Sequence, residues 1–548
     1  VQDLQAWVGS QERGITHRDI ERDCLRTSFV RHHDPIDAER IGALCISTDQ
    51  KVHASECPLL RVSGIVQVTR PPLFCSLTCY SLTSCSLTFA WRVPSRTGSS
   101  KDSNGGMLSL TYKRAPMPAY RQLQTIALPI ILANLATPLV GFVDVAVIGQ
   151  LGEVHLLGGL ALATMVFSFL FWGFGFLRMG TTALVANALG GNDPDLARQT
   201  LIRAMTLALL IGSTLLLIQS PIAAIIWSLT SGSSAVEGAA QTYFEVRIWG
   251  APLNLIFICL TGYLLGAGRS GAVLILQMLL NISNILLDLL FVLIWNKGVA
   301  GVAEATVWAE GIAVIGGLVL IRAELKHLSL SFLRTALIAP KQWLDLLAIN
   351  RDIMIRTLCL IFAFAWFTNQ GAAISDDVLA ANLVLMQFVS FAAFFIDGYA
   401  NAAEVLIGQA RGARNLCQTR SIIWASLATG WATGAAITLL FILVIPWFVP
   451  WLSDSPSVVS TALNIYGYAA IAPLISSSAY LLDGLFIGAL NSQIMRNAMI
   501  QSLLLYLLFW WLLGPLGNSG LWLSLLIFYV ARGLTLWRHR AALEVLTS

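Results

Sequence analysis

Asp144 is a lone carboxylate in the apolar stretch 128–151, LPIILANLATPLVGFVDVAVIGQL. A stretch of that length crosses a bilayer as a helix, for which roughly 20 apolar residues are enough. An ionisable group inside a span is costly unless it faces a cavity or a partner, so Asp144 is a candidate for reversible binding of a proton or a cation. The alternative is a packing contact with a neighbouring helix. Pro129 and Pro138 in the same stretch each remove a helix donor. Asn284 and Asp288, spaced i,i+4 in LLNISNILLDLLF, share one helix face, although Asn284 would also serve as an interhelical hydrogen bond. Glu304, Thr306 and Glu310 open a later apolar run, and Tyr243, Glu245 and Arg247 lie in an earlier one. Arg178, in FLRMGTTAL, is a cation well inside an apolar run, either snorkelling or paired with a buried acid. Farther on, Asp397 and Glu404 sit two turns apart on one face of a helix rich in small residues, and Asp483 lies in YLLDGLFIGAL.

Other chemistries lack their residues. Six of the nine cysteines fall in the first 106 residues, and Cys259, Cys359 and Cys417 are scattered singly through apolar segments. No CxxC pair or Cys/His cluster has metal-ligand spacing. No GxxxxGK[ST] loop occurs, so ATP is not the direct energy source. After Met107 the histidines are His155, His327 and His539, all near loops, and no Ser/His/Asp set converges. The expectation is a protein that is not an enzyme, with no cofactor, no metal centre and no nucleic-acid partner.

The elements that must position these residues follow from composition. Apolar residues make up 56% of the chain and charged residues 12%, against about 25% charged in soluble domains. That is the composition of an all-α polytopic membrane protein. From Met107 the apolar runs number twelve: 122–150, 157–189, 199–220, 238–267, 272–295, 299–322, 344–374, 378–411, 419–448, 458–489, 495–514 and 519–538. Basic residues alternate between loops. Arg198 and Arg203, Arg269, the stretch from Arg322 to Arg356, Arg411 to Arg420, Arg496, and Arg532 to Arg540 fall on one side, while Glu153, Glu237, Asp376, Asp377 and Asp454 fall on the other. Because Lys and Arg accumulate in cytoplasmic loops, this places both termini in the cytoplasm.

The chain also repeats. ALGGN (188–192) and ARGAR (410–414) each close a long run, and Pro252 followed by LLGAGRS (264–270) matches Pro473 followed by FIGALNS (486–492), at an offset of about 222. Under that offset Glu404 corresponds to Thr182 and Asp397 to Gly175, so each half has its own acids. The expected organisation is a first lobe at 107–322, a cytoplasmic linker at 323–343, a second lobe at 344–540 and a cytoplasmic tail at 541–548. Duplicated membrane chains of this kind usually work as secondary transporters with alternating access. Residues 1–106 are polar, Ser/Thr/Cys/Arg-rich and free of Met. They read as a disordered tail, a translated upstream sequence or a targeting peptide, and are expected to be largely disordered.

The stretches 127–152, 174–184 (FGFLRMGTTAL), 397–413 (DGYANAAEVLIGQARGA) and 481–499 (LLDGLFIGALNSQIMRNAM) resemble the multidrug and toxic compound extrusion (MATE) family, particularly its DinF-like branch. The resemblance covers essentially all of 120–540. It implies twelve transmembrane helices in two pseudo-symmetric six-helix lobes. By the same resemblance the cation site lies in the first lobe, between spans one, five and six. Pro129 then matches the bend-forming proline and Asp144 the central carboxylate, with Asn284, Asp288 and Thr306 completing the network and Tyr243 a weaker fourth. Protonation of Asp144 would bend the first span and expel substrate. Other branches of the family use acids in spans seven and ten for sodium; this chain has Trp366 and Phe367 in span seven, with Asp483 available in span ten. Protons are therefore the expected coupling ion, with sodium at Asp144/Asp288 as the alternative.

The expected function is a monomeric antiporter in the plasma (inner) membrane that exports amphipathic, often cationic, small organic compounds. Trp172, Phe174, Phe176 and Phe395 are candidate cavity-lining residues. Two rivals are an exporter of an organic anion, which would want Arg178 exposed to the cavity, and a lipid-linked precursor flippase, which would want a broad cationic cavity.

Overall fold

In the computed structural model, residues 118–229, 233–326, 329–452 and 454–545 are described; the segment 1–106 lies outside them. Twelve long helices succeed one another: α1 Ala119–Gly149, α2 Val154–Gly190, α3 Pro194–Leu217, α4 Ser234–Gly266, α5 Ser270–Ile294 and α6 Gly298–Leu320, then α7 Pro340–Ile374, α8 Asp376–Gly412, α9 Leu416–Leu452, α10 Pro456–Gly488, α11 Ser492–Leu512 and α12 Asn518–Arg538. Ten are long and apolar enough to cross a membrane by length and composition. The other two, α7 and α11, are 35 and 21 residues long.

Local chemistry sets the ends and breaks. The Asp193 carboxylate accepts from Leu196 N at 2.9 Å at the start of α3, and Ser375 Oγ accepts from Val378 N at 3.2 Å at the start of α8, each taking up an amide the first turn leaves free. α4 is interrupted by a 3-10 turn at Ile248–Gly250, just before Pro252, whose ring cannot follow a regular helical turn. The matching Pro473 stays within a continuous α10, and Pro129 and Pro138 within a continuous α1. Two features lie beyond the expected spans: a helix Gln219–Leu229 follows α3, and α7 begins at Pro340, inside the stretch read as linker, which also holds a helix Leu330–Ile338.

The helices form two six-helix lobes, α1–α6 and α7–α12, and their packing repeats. The pairs α1/α5, α2/α4, α3/α4, α4/α6 and α5/α6 recur as α7/α11, α8/α10, α9/α10, α10/α12 and α11/α12. Even backbone exceptions repeat at an offset of 222. Asn192 and Arg414 both have positive φ after α2 and α8, and so do Gly268 and Leu490 after α4 and α10. The lobes meet through α1 and α2 of the first against α7, α8, α9 and α10 of the second, around a buried cluster that includes Ala183, Leu406, Ile407 and Leu485.

Close backbone approach fixes this packing. A Cβ on Gly484 of α10 would lie 2.3 Å from the carbonyl oxygen of Ala400 in α8, whereas one on Gly467 would meet nothing within 4 Å. Gly484→Ala is expected to cost about 1–3 kcal/mol, as overpacked sites do, and Gly467→Ala to be near neutral. Thermal unfolding of the purified full chain in detergent checks the difference; equal behaviour of the two variants would contradict the packing.

Candidate functional site

α1 and α5 bring the first-lobe acids together. Asp144 is 8% exposed and Asp288 fully buried, and their carboxyls meet within hydrogen-bonding reach. Taken as carboxylates, Asp144 Oδ1 and both oxygens of Asp288 have no donor among the described residues, and Asn284 Oδ1 has none either. Asn284 Nδ2 donates to Thr306 Oγ1 at 3.2 Å, and that hydroxyl donates to Val302 O at 2.9 Å. Asn281, one turn before Asn284, donates to Ala136 O at 3.0 Å and so ties α5 to α1. Its spacing from Asn284 and Asp288 was the signal that would have included it. Tyr243 is buried on α4, edge-on to Phe167 with centroids 6.0 Å apart.

Next to this group lies a complete ion pair. Arg247 Nη1 and Nη2 donate to Glu310 Oε2 and Oε1 at 3.1 and 2.6 Å, and Asn254 Nδ2 adds a bond to Oε1 at 2.6 Å. The guanidinium also stacks over Phe167 and Phe171, 5.5 and 5.1 Å from the ring centroids. Gly250 makes the room, because a Cβ there would lie 2.6 Å from Glu310 Oε2. Glu304 turns instead to Lys297 at 2.5 Å, and Glu245 accepts from Gln241 at 2.9 Å.

The other intramembrane charges separate into different roles. Asp483 is held by Arg356 (Nε 2.8 Å, Nη2 2.7 Å) and by Arg532. Arg356 and Arg532 are both buried, although the sequence pattern counts them among the loop cations. Glu404 is buried, and its Oε1 has no donor among the described residues. Arg178 Nη1 donates to Asn401 Oδ1 at 3.0 Å, so its partner is an amide, where the sequence offered water or an acid. Arg178 and half-buried Asp397 both line a cavity of about 310 Å³ between α1, α2, α4, α5 and α8, together with Asn134, Thr137, Thr261 and Gln277. Its lining rings are Phe257 and Phe394. The four aromatics singled out in the sequence are not among this cavity's lining: Trp172 stacks on Phe364, while Phe174 meets Phe176 and Phe395 meets Phe391 edge to face.

Two buried carboxyls in contact repel unless a proton or a cation lies between them. The four orphaned oxygens of Asp144, Asp288 and Asn284 suit a proton, and as hard oxygen donors they also suit a cation such as sodium. Among the described residues no three His, Cys, Asp or Glu side chains converge as a metal site.

Comparison with known proteins gives these residues a context. The MatE family profile matches the chain twice, at 129–290 and 353–512. DNA damage-inducible protein F of Escherichia coli K12 is 37% identical over 419 residues, covering 76% of this chain and 91% of that protein. A probable multidrug resistance protein NorM of Xylella fastidiosa is 27% identical, covering 76% and 91%. Among solved structures, the outward-facing conformation of a multidrug resistance MATE family transporter aligns with a TM-score of 0.71 at 18% identity, over 79% of this chain and 97% of that one. The Vibrio cholerae transporter VcmN in its bent form aligns at 0.68 and 19%, over 78% and 97%.

The Arg247–Glu310 pair yields an energetic prediction. Arg247→Met leaves Glu310 buried with only the Asn254 amide and no cation, and is expected to destabilise the protein by about 3–5 kcal/mol. Arg247→Met combined with Glu310→Leu should recover most of that loss. Thermal unfolding of the single and double variants measures it, and a double variant as unstable as the single would contradict the pairing.

Proposed function

The chain belongs to the MatE (MATE) family of membrane transporters, and from that premise we propose that it is a proton-coupled antiporter exporting amphipathic, cationic organic compounds. It would work as a monomer in the plasma (inner) membrane with both termini cytoplasmic, the lobes 107–322 and 344–540 alternating access around the linker 323–343. The observation that carries the coupling is the contact of two buried carboxyls, Asp144 and Asp288, with oxygens that lack donors. A proton entering this pair removes their repulsion, and its departure restores it. Asn284, Thr306 and Tyr243 frame the pair, and the Arg247–Glu310 pair fixes the neighbouring wall.

α1 links this event to the substrate. It carries Asp144 toward α5 and, roughly 10–15 Å along the same helix, Asn134 and Thr137 on the cavity wall. It also packs on α8 and α9 of the other lobe, with Asn134 Nδ2 donating to Phe394 O at 3.3 Å. A change at Asp144 therefore moves a helix shared by the coupling site, the cavity and the lobe boundary. Pro129 and Pro138 lie in that helix, where missing donors make bending cheap. Sodium, taken by the same oxygens, is the alternative ion.

Arg178 favours a second reading. It lines the cavity without an acidic partner within ion-pair distance among the described residues, which suits an organic anion.

Inside-out vesicles containing the full chain test both readings. Ethidium transport driven by a pH gradient is expected to fall to background in Asp144→Asn and in Asp288→Asn, with binding of ethidium retained. Unchanged transport in Asp144→Asn would remove it as the coupling group. A sodium gradient driving transport at constant pH would select sodium. Failure with ethidium, together with transport of an anionic dye that is lost in Arg178→Gln, would select the organic-anion reading.

A further inference from the structure

Asn187 of α2 and Gln409 of α8 stand 222 residues apart, at the ends of their helices nearest the basic loops. Each crosses the lobe boundary to the same kind of acceptor. Asn187 Nδ2 donates to Gly488 O at 2.7 Å, and Gln409 Nε2 donates to Gly266 O at 3.3 Å. Gly266 and Gly488 are also 222 residues apart, the last residues of α4 and α10.

The acceptors are carbonyls that a helix end leaves without an intrahelical donor. After α4, the amides of Ala267, Gly268 and Arg269 return to Tyr263, Leu265 and Leu264 O; after α10, those of Ala489, Leu490 and Asn491 return to Leu485, Ile487 and Phe486 O. These turns leave the Gly266 and Gly488 carbonyls to the amide from the opposite lobe. The surrounding backbones touch. A Cβ on Gly190 would lie 2.2 Å from Gln409 O, and one on Gly412 would lie 2.1 Å from Asn187 O. Gly190 and Gly412 again correspond.

From this reciprocal geometry, and resting on the proposed alternating access between the lobes, we infer that Asn187 and Gln409 form a two-amide clasp that holds the basic end shut and breaks whenever that end opens. The contact has the self-complementary form of a two-fold interface, so one rocking motion releases both bonds. Both partners are neutral, and neutral hydrogen bonds contribute modestly. The clasp thus biases closure without locking it, and it does not itself sense the coupling ion.

The test uses the full chain in liposomes, spin-labelled at Cys417 and at Asp195→Cys, with the other cysteines replaced by serine. Both positions are exposed and flank the basic end, one in each lobe. Label-to-label distance distributions should show a short, closed population and a longer, open one. Asn187→Leu and Gln409→Met keep side-chain volume and remove the donor. Each is expected to raise the open-to-closed ratio roughly fivefold to tenfold, by similar amounts, and the double variant by about their product. Gln409→Asn, with an amide one methylene short, should shift the ratio in the same direction and serves if the Met variant does not fold. Unchanged ratios in the folded variants, with two populations in the parent, would overturn the clasp alone. A single population in the parent under every gradient would overturn the alternating-access reading and the clasp with it.

Discussion

A charge placed inside a bilayer cannot be handed to water, so it has to be met within the protein. Most of the buried charge here is met. Arg247 and Glu310 form a two-bond pair with Asn254 added, and Asp483 lies between Arg356 and Arg532. Such clusters have one good arrangement, and removing either partner is severe, so they brace the helices that carry them. Asp144 and Asp288 differ in kind. They are two acids in contact, short of donors, on two helices held together by Asn281. The arrangement is incomplete until a proton or cation enters, which sets it apart from the clusters that hold the lobes rigid.

The duplication supplies an internal control. At an offset of 222, Asp144 corresponds to Trp366 and Asp288 to Trp510, and these two indoles meet edge to face with centroids 5.0 Å apart. Asn284 corresponds to Tyr506, a buried ring in the same interface. The α1/α5 contact and its counterpart α7/α11 are thus one helix pairing built twice, once with carboxyls and once with rings. Aromatic packing is enough to make that pairing. A carboxyl pair at the same place is a worse glue, which weighs against a purely structural role for Asp144.

The twelve spans and the repeat were legible in the sequence because apolar runs of bilayer length and a strict offset are local, countable signals. Asp144, Asn284, Asp288 and Thr306 were legible for a similar reason: polar residues stand out in apolar helices. Pairing was not. Arg356 and Asp483 are 127 residues apart, and Arg247 and Glu310 are 63 apart, so only the fold brings them together. Depth was misread as well. Arg356, Arg411 and Arg532 count as loop cations in the pattern of basic residues, yet all three are buried, Arg356 in the middle of α7, and Arg411 donates to carbonyls of the C-terminal segment at Ala542 and Val545. The four candidate aromatics are absent from the cavity that holds Arg178 and Asp397, because an aromatic in a span faces lipid, a neighbouring helix or a cavity with the same sequence signature.

The two lobes share a scaffold and divide its tasks. The acid pair lies in the half of α1 and α5 nearer the acidic loops, while the closest backbone contacts between the lobes lie at the opposite, basic end. The two regions lie at opposite ends of their helices, so the proposed coupling between them would pass through elements that move as units. α1 is suited to this, since it packs on α5 in its own lobe and on α8 and α9 in the other. α8 in turn carries Gln409, Asn401 and Asp397 on one continuous helix. A helix that is stiff along its length but presents small residues of its own at its contacts, as α8 does with Gly398 and Gly408, would transmit a displacement at little cost in buried side-chain contacts. Under the proposed antiport, charge change at one end and backbone separation at the other would be joined through these two helices, with no need for a chain of polar groups across the membrane.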